Sequence, residues 1–173
     1  MKLTKNLLMC LLSLGIITGL SGCSSSEPAK NTETQIADQE QEAQTGEVEA
    51  INLDNSEGTL KFTNYEITTD YEGNPAIIVY YDYTNKKDET SFAQMTFYPQ
   101  VFQNGIECEM AFTMNDNESL SNSSKEIQKG TTLNIAYIYK LQDTQNSVTI
   151  QVTDQSAENL LNDITQTQEI TLV

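Results

Sequence analysis

The sequence predicts an all-β protein, an antiparallel sandwich of about seven strands. Three observations carry that expectation. All eight Tyr and all five Phe of the 173-residue chain lie beyond residue 50. In that region Val, Ile, Thr, Tyr and Phe recur with period two over short stretches, the pattern of strands with one face buried. Turn chemistry interrupts those stretches every ten or so residues, as in a sandwich.

Taken in order, the chain opens with Lys2 and Lys5, then an apolar run from Leu7 to Leu20 that ends in small residues. This is the layout of a secretory signal, and fourteen residues are too few to span a bilayer comfortably. Leu20-Ser21-Gly22-Cys23 resembles the lipobox of bacterial lipoproteins. The resemblance implies that residues 1–22 are removed as a signal peptide and that the Cys23 thiol carries a diacylglycerol. Two acyl chains attach a protein stably where one is marginal, at about 0.8 kcal/mol per buried methylene. Residues 23–50 follow as a disordered acidic tether. From Ser24 to Ala50 there is one Lys against seven acids and no aromatic residue, too little apolar surface to offset the cost of ordering. A coil of that length reaches roughly 29 Å.

The domain is expected over residues 51–173, with strands at about 58–68, 76–84, 94–103, 106–112, 131–141, 147–153 and 167–173. Residues 76–84 (AIIVYYDYT) are apolar on both faces, as in a central strand, with Ile77, Val79, Tyr81 and Tyr83 facing inward. The stretch 131–141 alternates, placing Leu133, Ile135, Tyr137, Tyr139 and Leu141 on one side. Asn104-Gly105 predicts a two-residue type I′ hairpin pairing Gln103 with Ile106, Val101 with Cys108 and Pro99 with Met110. That register puts Val101, Ile106, Cys108 and Met110 on one face and turns Glu107 and Glu109 outward. Pro99 marks an edge strand or a bulge, and residues 156–163 predict one or two helical turns capped by Ser156.

These residues resemble the domain of unknown function 5067, a family of Gram-positive surface lipoproteins. The matching elements are Tyr83-Thr84-Asn85, the Phe102–Gly105 turn and the entry Lys129-Gly130-Thr131-Thr132-Leu133. The resemblance spans essentially all of residues 51–173 and implies an immunoglobulin-like fold, with no catalytic residues to carry over.

Composition narrows the chemistry. The chain contains no His, Arg or Trp, so imidazole bases, Ser-His or Cys-His pairs and the usual zinc ligand sets are unavailable. With Cys10 in the signal and Cys23 acylated, Cys108 is alone, without a disulfide partner. Seven lysines against 25 acids leave the mature chain at −18, which repels nucleic acid and anionic headgroups.

Each remaining candidate has a plain structural reading beside its functional one. Cys108 reads as a buried small hydrophobe rather than a nucleophile. Residues 70–74 and 115–118 offer calcium-type oxygens without the spacing of a calcium loop, and read as solvated turns. Exposed members of Tyr80, Tyr81, Tyr83, Tyr98, Tyr137 and Tyr139 form a possible recognition face, with half or more in the core. The expected function is a noncatalytic binding module without a cofactor, lipid-anchored through Cys23 on the outer face of the membrane, facing a cell-wall or surface-protein partner. The alternatives are an enzyme acting on envelope polysaccharide through a carboxylate pair, and an envelope spacer or inhibitor of an exported enzyme.

Overall fold

The structure is a computed structural model that describes residues 45–172. The signal peptide, Cys23 and the tether as far as residue 44 lie outside the described residues. Two sheets pack face to face. One has the order β1-β9-β8-β5-β6, built from Gly46–Glu47 (β1), Thr165–Ile170 (β9), Val148–Asp154 (β8), Phe97–Gln103 (β5) and Ile106–Glu107 (β6). The other has the order β2-β3-β4-β7, built from Asn52–Asp54 (β2), Gly58–Thr69 (β3), Pro75–Asn85 (β4) and Thr132–Lys140 (β7). Every pairing between strands is antiparallel except β1 with β9. The expected all-β, immunoglobulin-like sandwich is the observed class.

Strand β4 lies between β3 and β7, and its unbroken apolar run is explained by burial on both sides. Ile77, Val79, Tyr81 and Tyr83 point into the sandwich, as expected, against Phe97 and Val101 of β5 and Val148, Ile150 and Val152 of β8. Tyr83 meets Phe97 edge-on at 6.4 Å between ring centroids, a favoured aromatic geometry. Each such side chain contributes about 1.5–3 kcal/mol by leaving water. Gly58 is required where β3 starts opposite Asn85, because a Cβ there would lie 2.8 Å from the Thr84 carbonyl oxygen. Both residues of the Asn104-Gly105 turn have positive φ, 52° and 77°, as a type I′ hairpin demands.

Several boundaries differ from the sequence reading. Regular structure already occurs at Gly46–Glu47, ahead of residue 51, because β1 pairs with β9 and the Val48 amide donates to the Thr167 carbonyl at 2.8 Å. The strand expected at 94–103 starts at Phe97, preceded by a 3₁₀ turn at Ala93–Met95. The strand expected at 106–112 keeps two residues beside β5 and then leaves that sheet. The last strand sits two residues earlier than expected at its start. Residues 157–163 form turns closed by i→i+3 bonds, Asn159 N to Ser156 O and Asn162 N to Asn159 O, and not a helix. The Ser156 hydroxyl caps nothing; Asp154 takes that role, accepting from Ser156 N at 2.8 Å and Asn159 Nδ2 at 2.9 Å. A short helix at Glu118–Asn122 (α1), capped by Asn117 Oδ1 on Leu120 N at 3.2 Å, was not anticipated.

With no disulfide among the described residues, buried amides tie the loops to the sandwich. Asn85 donates from Nδ2 to the Glu89 and Ile127 carbonyls, both at 2.9 Å, and accepts from Lys87 N through Oδ1. Gln103 donates to the carbonyls of Asp143 and Asn146 at 3.0 Å and accepts from Gln142 N and Asp143 N, so its amide uses four bonds on the 142–147 loop. Gln166 and Gln168 of β9 reach across to the other sheet and accept from Asn52 N and Ile51 N. The backbone edge of β2 is thus satisfied by side chains from the facing sheet.

Two substitutions separate packing from polar satisfaction. Gln103→Met keeps the volume and removes four hydrogen bonds, and should cost about 2–4 kcal/mol in urea unfolding. Tyr81→Phe removes a buried hydroxyl that has no partner, and should leave stability unchanged or higher. A loss of more than about 1 kcal/mol for Tyr81→Phe would show that this hydroxyl is bonded after all.

Candidate functional site

The outer face of β4 and β7 carries a second apolar layer, Ala76, Ile78, Ala136 and Ile138. No strand of the facing sheet can reach it, and the chain after β6 covers it. Cys108 is the pivot. Its amide still donates to the Val101 carbonyl at 2.8 Å, and the next residues then cross to the free edge of β7. Lys140 N donates to Glu109 O at 2.8 Å, Met110 bridges Tyr139, and Ala111 N donates to Ile138 O at 2.9 Å. Ala111 turns into the apolar layer, while its alternating neighbours Met110, Phe112 and Met114 are 55, 74 and 87% exposed. The Phe112 carbonyl is held by Tyr71 N at 2.8 Å.

Helix α1 closes the cover from the other side. Asn122 Nδ2 donates to the Asn134 carbonyl at 3.0 Å and Leu120 packs on the apolar layer. Asn117 Nδ2 donates to the Tyr80 hydroxyl at 2.8 Å, which donates to Glu66 at 3.0 Å. Burial, with the Glu66 carboxylate beside it, raises the Tyr80 phenol above its ordinary pKa against the opposing pull of Asn117. Between the crossing strand and α1 lies a groove of about 500 Å³, lined by Ala111, Phe112, Leu120, Ala136 and Ile138 among others. An apolar floor with a few polar groups at its margin is the composition of a binding cleft.

The hairpin register holds for Gln103 with Ile106 and for Val101 with Cys108, and fails for Pro99 with Met110. Pro99 lies on β5 beyond the reach of the two-residue β6, an edge position, and its carbonyl accepts from Tyr139 OH at 3.0 Å. Of the four residues assigned to one inner face, Val101 and Cys108 are buried while Ile106 and Met110 are exposed. The physical reason is the crossover: β6 is the outermost strand of its sheet, and Met110 already belongs to the edge of β7. The Tyr set divides likewise. Tyr81, Tyr83, Tyr137 and Tyr139 are core, and Tyr98 is the exposed member. The exposed apolar row is made of Met and Phe; Met110 and Phe112 fall within the strand expected at 106–112, and Met114 lies beyond it.

Cys108 is 7% exposed beside a second cavity of about 270 Å³ that Tyr98, Pro99 and Glu107 also line. Burial raises its thiol pKa above the ordinary value, the Glu107 charge adds to this, and the hydrogen bond with the Gln103 backbone opposes it. The Asp70–Asn74 turn spends its carboxylate internally. Asp70 accepts from Glu72 N, Asn74 N and Asn74 Nδ2 at 2.9, 2.8 and 3.2 Å. Burial pushes Asp70 up, but these bonds and the Lys140 charge outweigh it and hold it below its ordinary pKa. Asn117 is likewise spent as the helix cap, and no group of three ligating side chains occurs among the described residues. The two acids buried among the described residues, Asp70 and Asp154, belong to opposite ends of β3, since Asp154 bonds Asn55 just before that strand and Asp70 follows it. Twelve residues of strand separate them by roughly 35 Å, against the 5–10 Å or so that glycosidase carboxylates require.

The thiol gives a direct check on this geometry. Labelling of native protein at Cys108 should be slow and should accelerate on unfolding. Cys108→Val should change stability by less than about 1.5 kcal/mol, since it retains a small apolar group. Fast native labelling would place the thiol at the surface and the crossover elsewhere.

The family model for the domain of unknown function (DUF5067) matches residues 30–154. No curated protein matches the chain by sequence. Among solved structures, a protein from Enterococcus faecalis is similar at a TM-score of 0.54 and 23% identity, over 70% of this chain and 90% of that one. A Bacillus subtilis protein described as a candidate lipoprotein, ycdA, is similar at a TM-score of 0.53 and 13% identity over 70% of this chain. The present chain covers 38% of that protein's length. Both likenesses concern the fold. The three sequence elements that suggested the family, at 83–85, 102–105 and 129–133, all lie within the matched span, and two of them contain the buried amides Asn85 and Gln103 that hold the loops. The chain belongs to the family defined by the domain of unknown function 5067.

Proposed function

We propose that this protein is a noncatalytic binding module, anchored by a diacylglyceryl Cys23 on the outer face of the cell membrane, that engages a surface or cell-wall partner through the groove beside Met110, Phe112 and Met114. The observation that carries the reading is that exposed row. Met110 and Phe112 stand in solvent on a backbone fixed by hydrogen bonds to β7 and to the 70–74 turn, and the exposed Met114 follows two residues on. Exposed apolar surface of this kind marks interaction sites, and a pre-ordered backbone lowers the entropic cost of binding. The lipobox-like Leu20-Ser21-Gly22-Cys23 supports the anchoring. The description of the Bacillus subtilis neighbour as a candidate lipoprotein is in keeping with it. The separation of Asp70 from Asp154 favours binding over the carboxylate-pair enzyme.

Two measurements in cells address the two halves of the reading. Cys23→Ser should move the protein from the membrane fraction to the medium or leave an unprocessed precursor, and unchanged fractionation and mature mass would refute the lipid anchor. A photo-crosslinking residue at Met114 should give one discrete protein adduct on intact cells, while the same residue at Leu161, 93% exposed at a distant turn, should not. Absence of any adduct specific to Met114 would refute the binding surface.

A further inference from the structure

The charge around the groove identifies the kind of partner. Glu109 precedes Met110, Asp116 follows Met114, and Glu118 opens α1. Glu72 lies on the turn that holds Phe112, through the Tyr71 N to Phe112 O bond. Glu66 sits at the end of the Asn117–Tyr80 chain. Asp116 lines the groove and the other four acids flank its lining residues, while two cations lie nearby: Lys140, paired with Glu109 at 3.5 Å, and Lys125, which donates to Asn122 Oδ1 at 2.7 Å just past α1. Glu66 and Glu72 each accept from a tyrosine hydroxyl, Tyr80 OH at 3.0 Å and Tyr71 OH at 3.1 Å, whereas the Asp70 carboxylate takes three bonds within its own turn.

Resting on the binding-module reading, we infer that the groove accepts a cationic amphipathic segment of a partner protein, whose apolar side chains seat against Phe112, Met114, Leu120 and Ile138 while its Lys or Arg side chains face Glu66, Glu72, Asp116 and Glu118. Three observations favour this occupant. Methionines give an adaptable apolar surface that suits a peptide face. A rim with acids in excess, five against Lys125 and Lys140, around an apolar centre steers and orients a partner of the opposite sign. The same acids repel the other candidates, since a second copy of this chain brings its own net charge of −16 and an anionic leaflet brings its phosphates.

The test uses two synthetic peptides with leucines at identical helical positions, one with lysine and one with glutamate at the remaining positions, titrated calorimetrically into the detergent-solubilised full chain. The leucine–lysine peptide should bind one to one and weaken with added salt, and the leucine–glutamate peptide should not bind. The double variant Phe112→Ser, Met114→Ser should weaken binding about tenfold, equivalent to about 1.4 kcal/mol. Asp116→Lys should weaken it by a similar factor, and Leu161→Ser should leave it unchanged. Both altered groove residues are largely exposed, so the fold is not at stake. Equal affinity of the double variant, the Asp116→Lys chain and the native chain would overturn the inference, by showing attraction to overall charge alone. Binding of the leucine–glutamate peptide would overturn it as well. If neither peptide binds while the Met114 crosslink still forms in cells, the cationic partner is wrong and the binding module stands. Loss of that crosslink refutes the module itself.

Discussion

Strands β4 and β7 are apolar on both faces, and a two-sheet sandwich can cover only one of them. The rest of the structure follows from that imbalance. The inner side chains Ile77, Val79, Tyr81, Tyr83, Ile135, Tyr137 and Tyr139 form the core with the facing sheet. Ala76, Ile78, Ala136 and Ile138 are left on the outside, and the chain meets the need by sending residues 109–122 across from one sheet to the outer face of the other. Once a strand with period two lies on an apolar layer, every second residue must face away from it. Ala111 is buried, so Met110 and Phe112 face solvent. The groove is a consequence of the cover, and the exposed row is a consequence of its pairing with β7.

Such a cover needs its ends held, and in a chain without a disulfide among its described residues side-chain amides and carboxylates do this. Asn85 fixes the loops after β4 and before β7, Gln103 fixes the loop between β7 and β8, and Asp70 organises the turn that grips Phe112. Each replaces with hydrogen bonds what a crosslink would do by covalency. Their cost of desolvation is offset because nearly every donor and acceptor finds a partner. Surface ion pairs such as Lys129 with Asp88 and Lys140 with Glu109 add little by comparison. The inner tyrosines are the exception to this economy, since Tyr81 and Tyr137 bury hydroxyls without partners.

The parts of the fold decided by local chemistry were legible in the sequence. Asn104-Gly105 announces a turn because both positions need positive φ, and residues 76–84 announce a central strand because an unbroken apolar run has nowhere else to go. The parts decided by tertiary need were not. Residues 106–112 alternate like one strand, and nothing local shows that the chain changes sheets at Cys108. β1 and β2 are too short to carry a period. Gln166 and Gln168 look like solvent-facing positions, yet they point inward to bond the backbone of β2. The candidate site was therefore missed as a site while its residues were in view. Tyrosine drew attention as a recognition residue, and four of the six singled out are core, in line with the expectation of half or more, whereas Met110 and Phe112 fall in the strand expected at 106–112 and Met114 just beyond it.

The groove and its exposed row exist only if the crossing segment is a fixed cover and not a mobile loop. Residue-resolved amide hydrogen exchange on the native protein tests this most directly. The Ala111 and Lys140 amides, bonded to Ile138 and Glu109, should be protected to a degree approaching that of the β4 and β7 core, as should Leu120 under its Asn117 cap. Exchange of Ala111, Lys140 and Leu120 at the rates of free peptide, beside a protected core, would contradict it, because the outer face of β4 and β7 would then lack its cover and the apolar row its backbone.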